Sequence, residues 1–147
     1  GILHKAKEKK VNFCLPLDHI LASAVEEGAE IRTIDACSFP QDWMGVDIGP
    51  RTIEQYVRII ARARTVFWNG PLGVFEVEKF SRGTIKIAEA VARSEGTSIV
   101  GGGDSVAAVS KAGVAEKITH ISTGGGASLE FIANETLPGL EALGWKK

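Results

Sequence analysis

Four short apolar runs punctuate the chain, at residues 11–17, 65–68, 97–100 and 120–122. Each has the length and composition expected of a buried strand. Between them apolar residues return at helical spacing. In 52–64 these are Ile53, Tyr56, Val57 and Ile60, and the pair Thr52 and Gln55 resembles a capping box at the helix start. In 81–94, Ile85, Ala88 and Val91 form one stripe, with Gly96 just beyond as a stop. Residues 104–112 form a short Ala-rich helix ended by Gly113, and 127–133 and 136–143 form two more. Strand–helix alternation of this kind predicts βαβ units and a parallel sheet covered on both faces. The stretch 19–49 breaks the alternation. It has a turn at Glu26-Glu27-Gly28 between mixed segments, which predicts an antiparallel hairpin or an irregular excursion. Residues 1–10 are compatible with the end of a helix or with a solvated tail. The apolar segment after them is too short, and too interrupted by Asn12 and Pro16, for a signal peptide.

Composition adds one anomaly. The chain has 147 residues, is 44% hydrophobic and carries a net charge of −1. That is a domain's worth of globular sequence, without the basic footprint of a nucleic-acid binder or an apolar run of the ~18 residues a membrane helix needs. Cys14 and Cys37 match no metal spacing and read as reduced thiols of a cytosolic protein. Glycine, however, occurs 17 times, about 12% against a usual ~7%.

The excess has an address. Three of the four runs pass directly into glycine-rich turns: Trp68-Asn69-Gly70-Pro71-Leu72-Gly73, Gly101-Gly102-Gly103-Asp104-Ser105 and Gly124-Gly125-Gly126-Ala127-Ser128. In an open parallel sheet, ligands bind at the carboxyl ends of the strands. Glycines there permit tight turns, and they also free backbone amides to point at one small volume, where a following helix adds the positive end of its dipole. Two such loops side by side suit phosphate oxygens. Asp104 is placed as a helix N-cap and as a carboxylate for the Mg2+ that accompanies a nucleotide; the two roles are compatible. Ser105 offers a hydroxyl to a phosphate. Asn69 and Glu76 are polar residues in apolar surroundings, readable as a turn former and a solvated acid. The usual P-loop and GxGxxG patterns are absent, as is a Gly-x-Ser-x-Gly nucleophile. His4, His19 and His120 are scattered, and His120 reads as a core or edge histidine.

These segments together closely resemble the phosphoglycerate kinase family. The resemblance rests on residues 67–76, 101–105 and 122–130, and is extended by Leu15-Pro16-Leu17-Asp18, by 43–50 and by Leu137-Pro138-Gly139-Leu140. It implies an α/β fold, a Rossmann-like three-layer parallel sheet with helices on both faces, incomplete here, plus a small antiparallel excursion near 19–49. It implies an enzyme of glycolysis and gluconeogenesis, a phosphotransferase with a carboxyl group as acceptor, moving a phosphoryl group reversibly between 1,3-bisphosphoglycerate and ADP. By position in the motifs, Asn69 would face the nucleotide's phosphates and Glu76 its ribose hydroxyls. Gly45, Val46 and Val74 would line the adenine pocket. Gly101, Gly102, Gly103, Asp104 and Ser105 would hold the nucleotide, with Asp104 at Mg2+, and Gly124, Gly125 and Gly126 would face the transferring phosphoryl group.

The same resemblance marks what has no counterpart in this sequence. Residues 1–147 correspond to part of the family's C-terminal, nucleotide-binding domain. The N-terminal domain that binds 3-phosphoglycerate and the segment with Gly-Gly-Ala-Lys are lacking, and the start Gly-Ile-Leu-His reads as a cut in a longer chain. The expectation is a cytoplasmic, monomeric parent enzyme with ADP or ATP as partner, no nucleic acid and no membrane. The chain alone is expected to be inactive. The alternatives are a non-catalytic nucleotide-binding piece or a purely structural one. His19 stands where the family often has an apolar residue near the adenine.

Overall fold

The computed structural model describes residues 1–36 and 39–145, so the reading of Cys37 lies outside the described residues. Two three-stranded sheets organise the chain. The first is antiparallel and takes up the excursion: β1 (Asp18–Ala22) lies between β2 (Ile31–Asp35) and β3 (Met44–Ile48). The second is parallel, in the order β4 (Thr65–Asn69), β5 (Thr97–Gly101), β6 (His120–Ser122), with Trp68 beside Val100 and Val100 beside Ile121.

Helix α1 (Ile2–Glu8) buries no residue. Helices α2 (Pro50–Ile60), α3 (Arg82–Arg93) and α4 (Gly103–Lys111) precede or connect the parallel strands, with α5 (Gly125–Asn134) and α6 (Pro138–Ala142) after β6. Strand alternation divides the labour between faces. Trp68 and Val100 enter the main core with Ile87, Val91 and Val109 of α3 and α4. Phe67 and Ile99 point the other way, toward Phe131 of α5 and Leu140 of α6, across a cavity of about 440 Å³.

Three expectations fail. Residues 11–17 are not a strand: the segment is irregular, with Val11, Phe13 and Leu15 about half exposed. A strand is a pairing, and among the described residues no strand lies against this run. It stands off β4 across a cleft of about 420 Å³, held by the Tyr56 hydroxyl donating to the Cys14 carbonyl at 3.0 Å. Thr52 and Gln55 do not form a capping box: Gly49 is the N-cap of α2, and Thr52 is fully buried. Asp104 is not an N-cap either; Gly102 is, at φ +95°, and Asp104 sits in the first turn of α4.

The side chains that do cap come from another element. Asp18, at the start of β1, accepts the Arg51 amide at 3.0 Å, the Thr52 amide at 2.8 Å and the Thr52 hydroxyl at 2.6 Å. Asp47 of β3 accepts the Gly83 amide at the start of α3 at 2.6 Å and the Ile48 amide at 2.8 Å. Each carboxylate satisfies helix-start amides that would otherwise be buried without a partner. Each thereby welds the antiparallel sheet to a helix of the parallel layer.

Candidate functional site at the glycine edge

The carboxyl ends of β4, β5 and β6 lie side by side, so their three turns share one edge. Asn69 ends β4, Gly101 ends β5, and the β6 turn reaches over to the β5 turn through the Gly102 amide, which donates to the Ser122 carbonyl at 3.0 Å. The approach is close enough to require glycine. A Cβ on Gly125 would lie 2.7 Å from Asn69 Nδ2 and 2.7 Å from Gly102 Cα, inside any real contact distance. The positive φ of Gly102 adds a backbone reason at that position.

Two helices start at this edge. At the cap of each, Val106 donates to the Gly102 carbonyl and Ser128 to the Gly124 carbonyl, both at 3.0 Å. The amides just ahead, at 103–105 and 125–127, belong to the orphan set that every helix start presents. Gly103, Asp104, Gly124 and Gly126 are exposed, as is Asn69. The edge therefore offers backbone donors, one amide side chain and one carboxylate to the same small region. Among the described residues no cluster of three or more His, Cys, Asp or Glu could cage a metal. A single exposed carboxylate fits a cation that arrives with ligand oxygens of its own, as Mg2+ does with phosphates.

The second half of the site is the Gly73–Val77 segment between β4 and α3. The Val74 amide donates to the Val46 carbonyl at 2.8 Å, which ties this segment to β3. Val74 packs on a cluster containing Ala22, Val46 and Phe80. Glu76 projects from the following turn, exposed. Gly45 is exposed beside Val46, and a Cβ there would lie 3.2 Å from the Phe39 ring. His19 packs at a tilt against that ring, with 5.1 Å between centroids.

Two sequence candidates sit beneath this surface rather than in it. Val46 is 1% exposed, because β3 alternation turns it into the packed cluster. Ser105 is 1% exposed, and its hydroxyl accepts the Gly70 amide at 2.6 Å, fastening the β4 turn to α4. Thr84 does the same from α3, accepting the Leu72 amide at 3.0 Å and the Gly73 amide at 3.2 Å. Sequence reasoning misses Thr84, Asp18, Asp47 and Phe39 as parts of the site's support. The motif Leu-Pro-Leu-Asp and the Gly-Val-Asp run carry the two aspartates, but nothing local says that their partners are 33 and 36 residues away.

The two aspartates titrate in opposite directions. Burial tends to raise Asp18, but hydrogen bonds from the Thr52 hydroxyl and from the Arg51 and Thr52 amides outweigh it, and its pKa lies below the ordinary value. Burial dominates at Asp47 and pushes it up to about 6, against the Gly83 and Ile48 amides and the Arg82 charge.

The family profile described as phosphoglycerate kinase matches residues 1–135. The chain belongs to the phosphoglycerate kinase family. Curated relatives agree: the phosphoglycerate kinase of Leptospira biflexa is 54% identical over 142 residues, covering 97% of this chain and 36% of that protein. That of Acidobacterium capsulatum is 57% identical over 143 residues, covering 96% and 35%. The solved phosphoglycerate kinase of Coxiella burnetii superposes with a TM-score of 0.85 at 42% identity, covering 90% of this chain and 34% of that one. That of Pyrococcus horikoshii OT3 gives 0.73 at 43%, covering 87% and 31%. The chain thus spans about a third of the length of the family members it matches. The α/β layout, a helix-flanked parallel sheet plus a small antiparallel one, is the family's in this region.

Proposed function

We propose that this chain forms the nucleotide wall of a phosphoglycerate kinase, which transfers a phosphoryl group reversibly between 1,3-bisphosphoglycerate and ADP. The observation that carries the reading is the contact of Asn69, Gly102 and Gly125 at one strand-end edge, in a chain of this family. Amides 103–105 and 125–127 receive phosphate oxygens. Asp104 holds Mg2+, which when bound offsets the charge of the phosphates. Asn69 orients the phosphate chain, and Glu76 accepts hydrogen bonds from the ribose hydroxyls. Gly45 and Val74 meet the base, over a floor set by Val46. Ser105 acts from below as a positioning residue.

In the forward direction a terminal oxygen of ADP attacks the acyl phosphate. A new P–O bond forms, the P–O bond to the acyl group breaks, and 3-phosphoglycerate leaves as a carboxylate with ATP as product. Catalysis of this kind is mostly alignment and charge neutralisation. It needs a second wall for the phosphoglycerate, so the chain by itself is inactive.

Titration calorimetry on the chain tests the binding half. Mg-ADP should bind, and Asp104→Asn and Glu76→Ala should each weaken it by about tenfold or more. No heat at millimolar nucleotide would sink the reading. Measurable turnover of ATP and 3-phosphoglycerate by the chain alone would sink the claim of inactivity.

A further inference from the structure

Helix α4 is tied to the β4–α3 connection near both of its ends. Near its start, Ser105 accepts the Gly70 amide at 2.6 Å. At its last residue, Lys111 Nζ donates to the Phe75 carbonyl at 2.7 Å and lies 3.1 Å from Glu78 Oε2. The Glu78 side chain is 79% exposed and that of Lys111 only 31%, so the carbonyl bond is the sheltered one and the ion pair is secondary. The Phe75 carbonyl and the Glu76 amide are the two halves of one planar peptide. Holding that oxygen fixes the peptide plane, and with it the N–Cα bond from which the Glu76 side chain is carried. The flanks of the segment have their own ties, Val74 to Val46 at 2.8 Å and the Glu78 amide to Glu27 at 2.7 Å. At the Phe75–Glu76 peptide the tie among the described residues is Lys111.

Lys111 lies seven helical steps beyond Asp104 on α4, roughly 10 Å of rigid rise. We infer that α4 is a spacer and Lys111 its distal positioning residue, fixing Glu76 at a set distance from the glycine edge and so selecting ligands that carry a phosphate chain and an intact ribose diol together. The inference rests on the nucleotide reading of Glu76 above. Without Lys111 the phosphate contacts remain, but the diol loses its placed acceptor.

The test compares Mg-ADP with Mg-2′,3′-dideoxy-ADP by titration calorimetry on the chain and on Lys111→Met, Lys111→Arg and Glu76→Ala. The unsubstituted chain should prefer ADP by about tenfold or more, the worth of hydrogen bonds to a charged acceptor. Lys111→Met should lose most of that preference while binding the dideoxy analogue normally, and Lys111→Arg should restore it. The double variant with Glu76→Ala should discriminate no worse than either single one. If Lys111→Met melts early, Lys111→Gln, which keeps a donor, should hold an intermediate preference. Full preference in Lys111→Met, or equal weakening toward both nucleotides, overturns the spacer. Full preference in Glu76→Ala overturns the ribose reading itself, and no ADP binding by the unsubstituted chain overturns both.

Discussion

Gly125 shows how little room the glycine edge leaves. Its missing side chain is what lets Asn69 and the Gly102 backbone approach. Gly125→Ala should destabilise the chain by about 1–3 kcal/mol, the usual cost of forcing a methyl into packed backbone, and should weaken Mg-ADP binding in parallel. Urea unfolding and calorimetry read the two effects. A variant of unchanged stability would mean that the β5 and β6 turns do not meet in solution. Glycine counting alone points to these loops, but it does not separate Gly125, which touches its neighbours, from exposed Gly126. That distinction belongs to the neighbouring strand.

Asp47 makes a pH prediction at the same scale. Its pKa is raised from 3.8 to about 6 in the fold. A raised carboxyl contributes stability that is complete below pH 3.8 and lost as pH rises through about 6. The amount at stake is at most about 3 kcal/mol. Asp47→Asn removes the ionisation. The melting temperature of that variant relative to the unsubstituted chain should therefore improve from pH 4 to pH 7. A gap that widens with pH would show that the carboxylate is stabilised in place. Asp18 has the opposite sign: its contribution is present above its ordinary pKa and is lost as pH falls through the lower folded value.

Between elements, the recurring device is a polar side chain of one element holding the backbone of another. Asp18 and Asp47 cap α2 and α3 from β1 and β3. Thr84 and Ser105 hold the turn after β4 from α3 and α4. Thr84 is fully buried, so Thr84→Val keeps its shape and strands two amides. About 2 kcal/mol should be lost, as measured by chemical unfolding, and a loss below about 0.5 kcal/mol would show that the amides find other partners. Apolar stripes locate α2 and α3, and alanine content with a closing glycine locates α4, each to within a few residues. The starts of α2 and α4 are misassigned for one reason, while Ser81 does stand at the N-cap of α3. Thr52 and Asp104 carry capping side chains in the right local pattern, but Gly49 and Gly102 already hold the cap positions.

Across the molecule, the parallel sheet ends at β4 and β6 among the described residues, and 11–17 presents Val11, Phe13 and Leu15 to solvent. Free strand edges and unpaired apolar runs invite association. Sedimentation of the chain should show self-association that grows with concentration and is reduced by Phe13→Lys. A monomer at all concentrations would mean that the run is covered by the chain itself.

Family, α/β alternation and the three glycine turns are legible in the order of residues, because motif identity, hydrophobic period and turn chemistry are local properties of the chain. Three things became fixed only in the folded molecule: that 11–17 forms no strand among the described residues, that strand aspartates cap the helices, and that Lys111 reaches the Phe75 carbonyl. They depend on partners 33 to 36 residues apart, or on which strands the described residues bring alongside, and such neighbours acquire positions only when the chain folds.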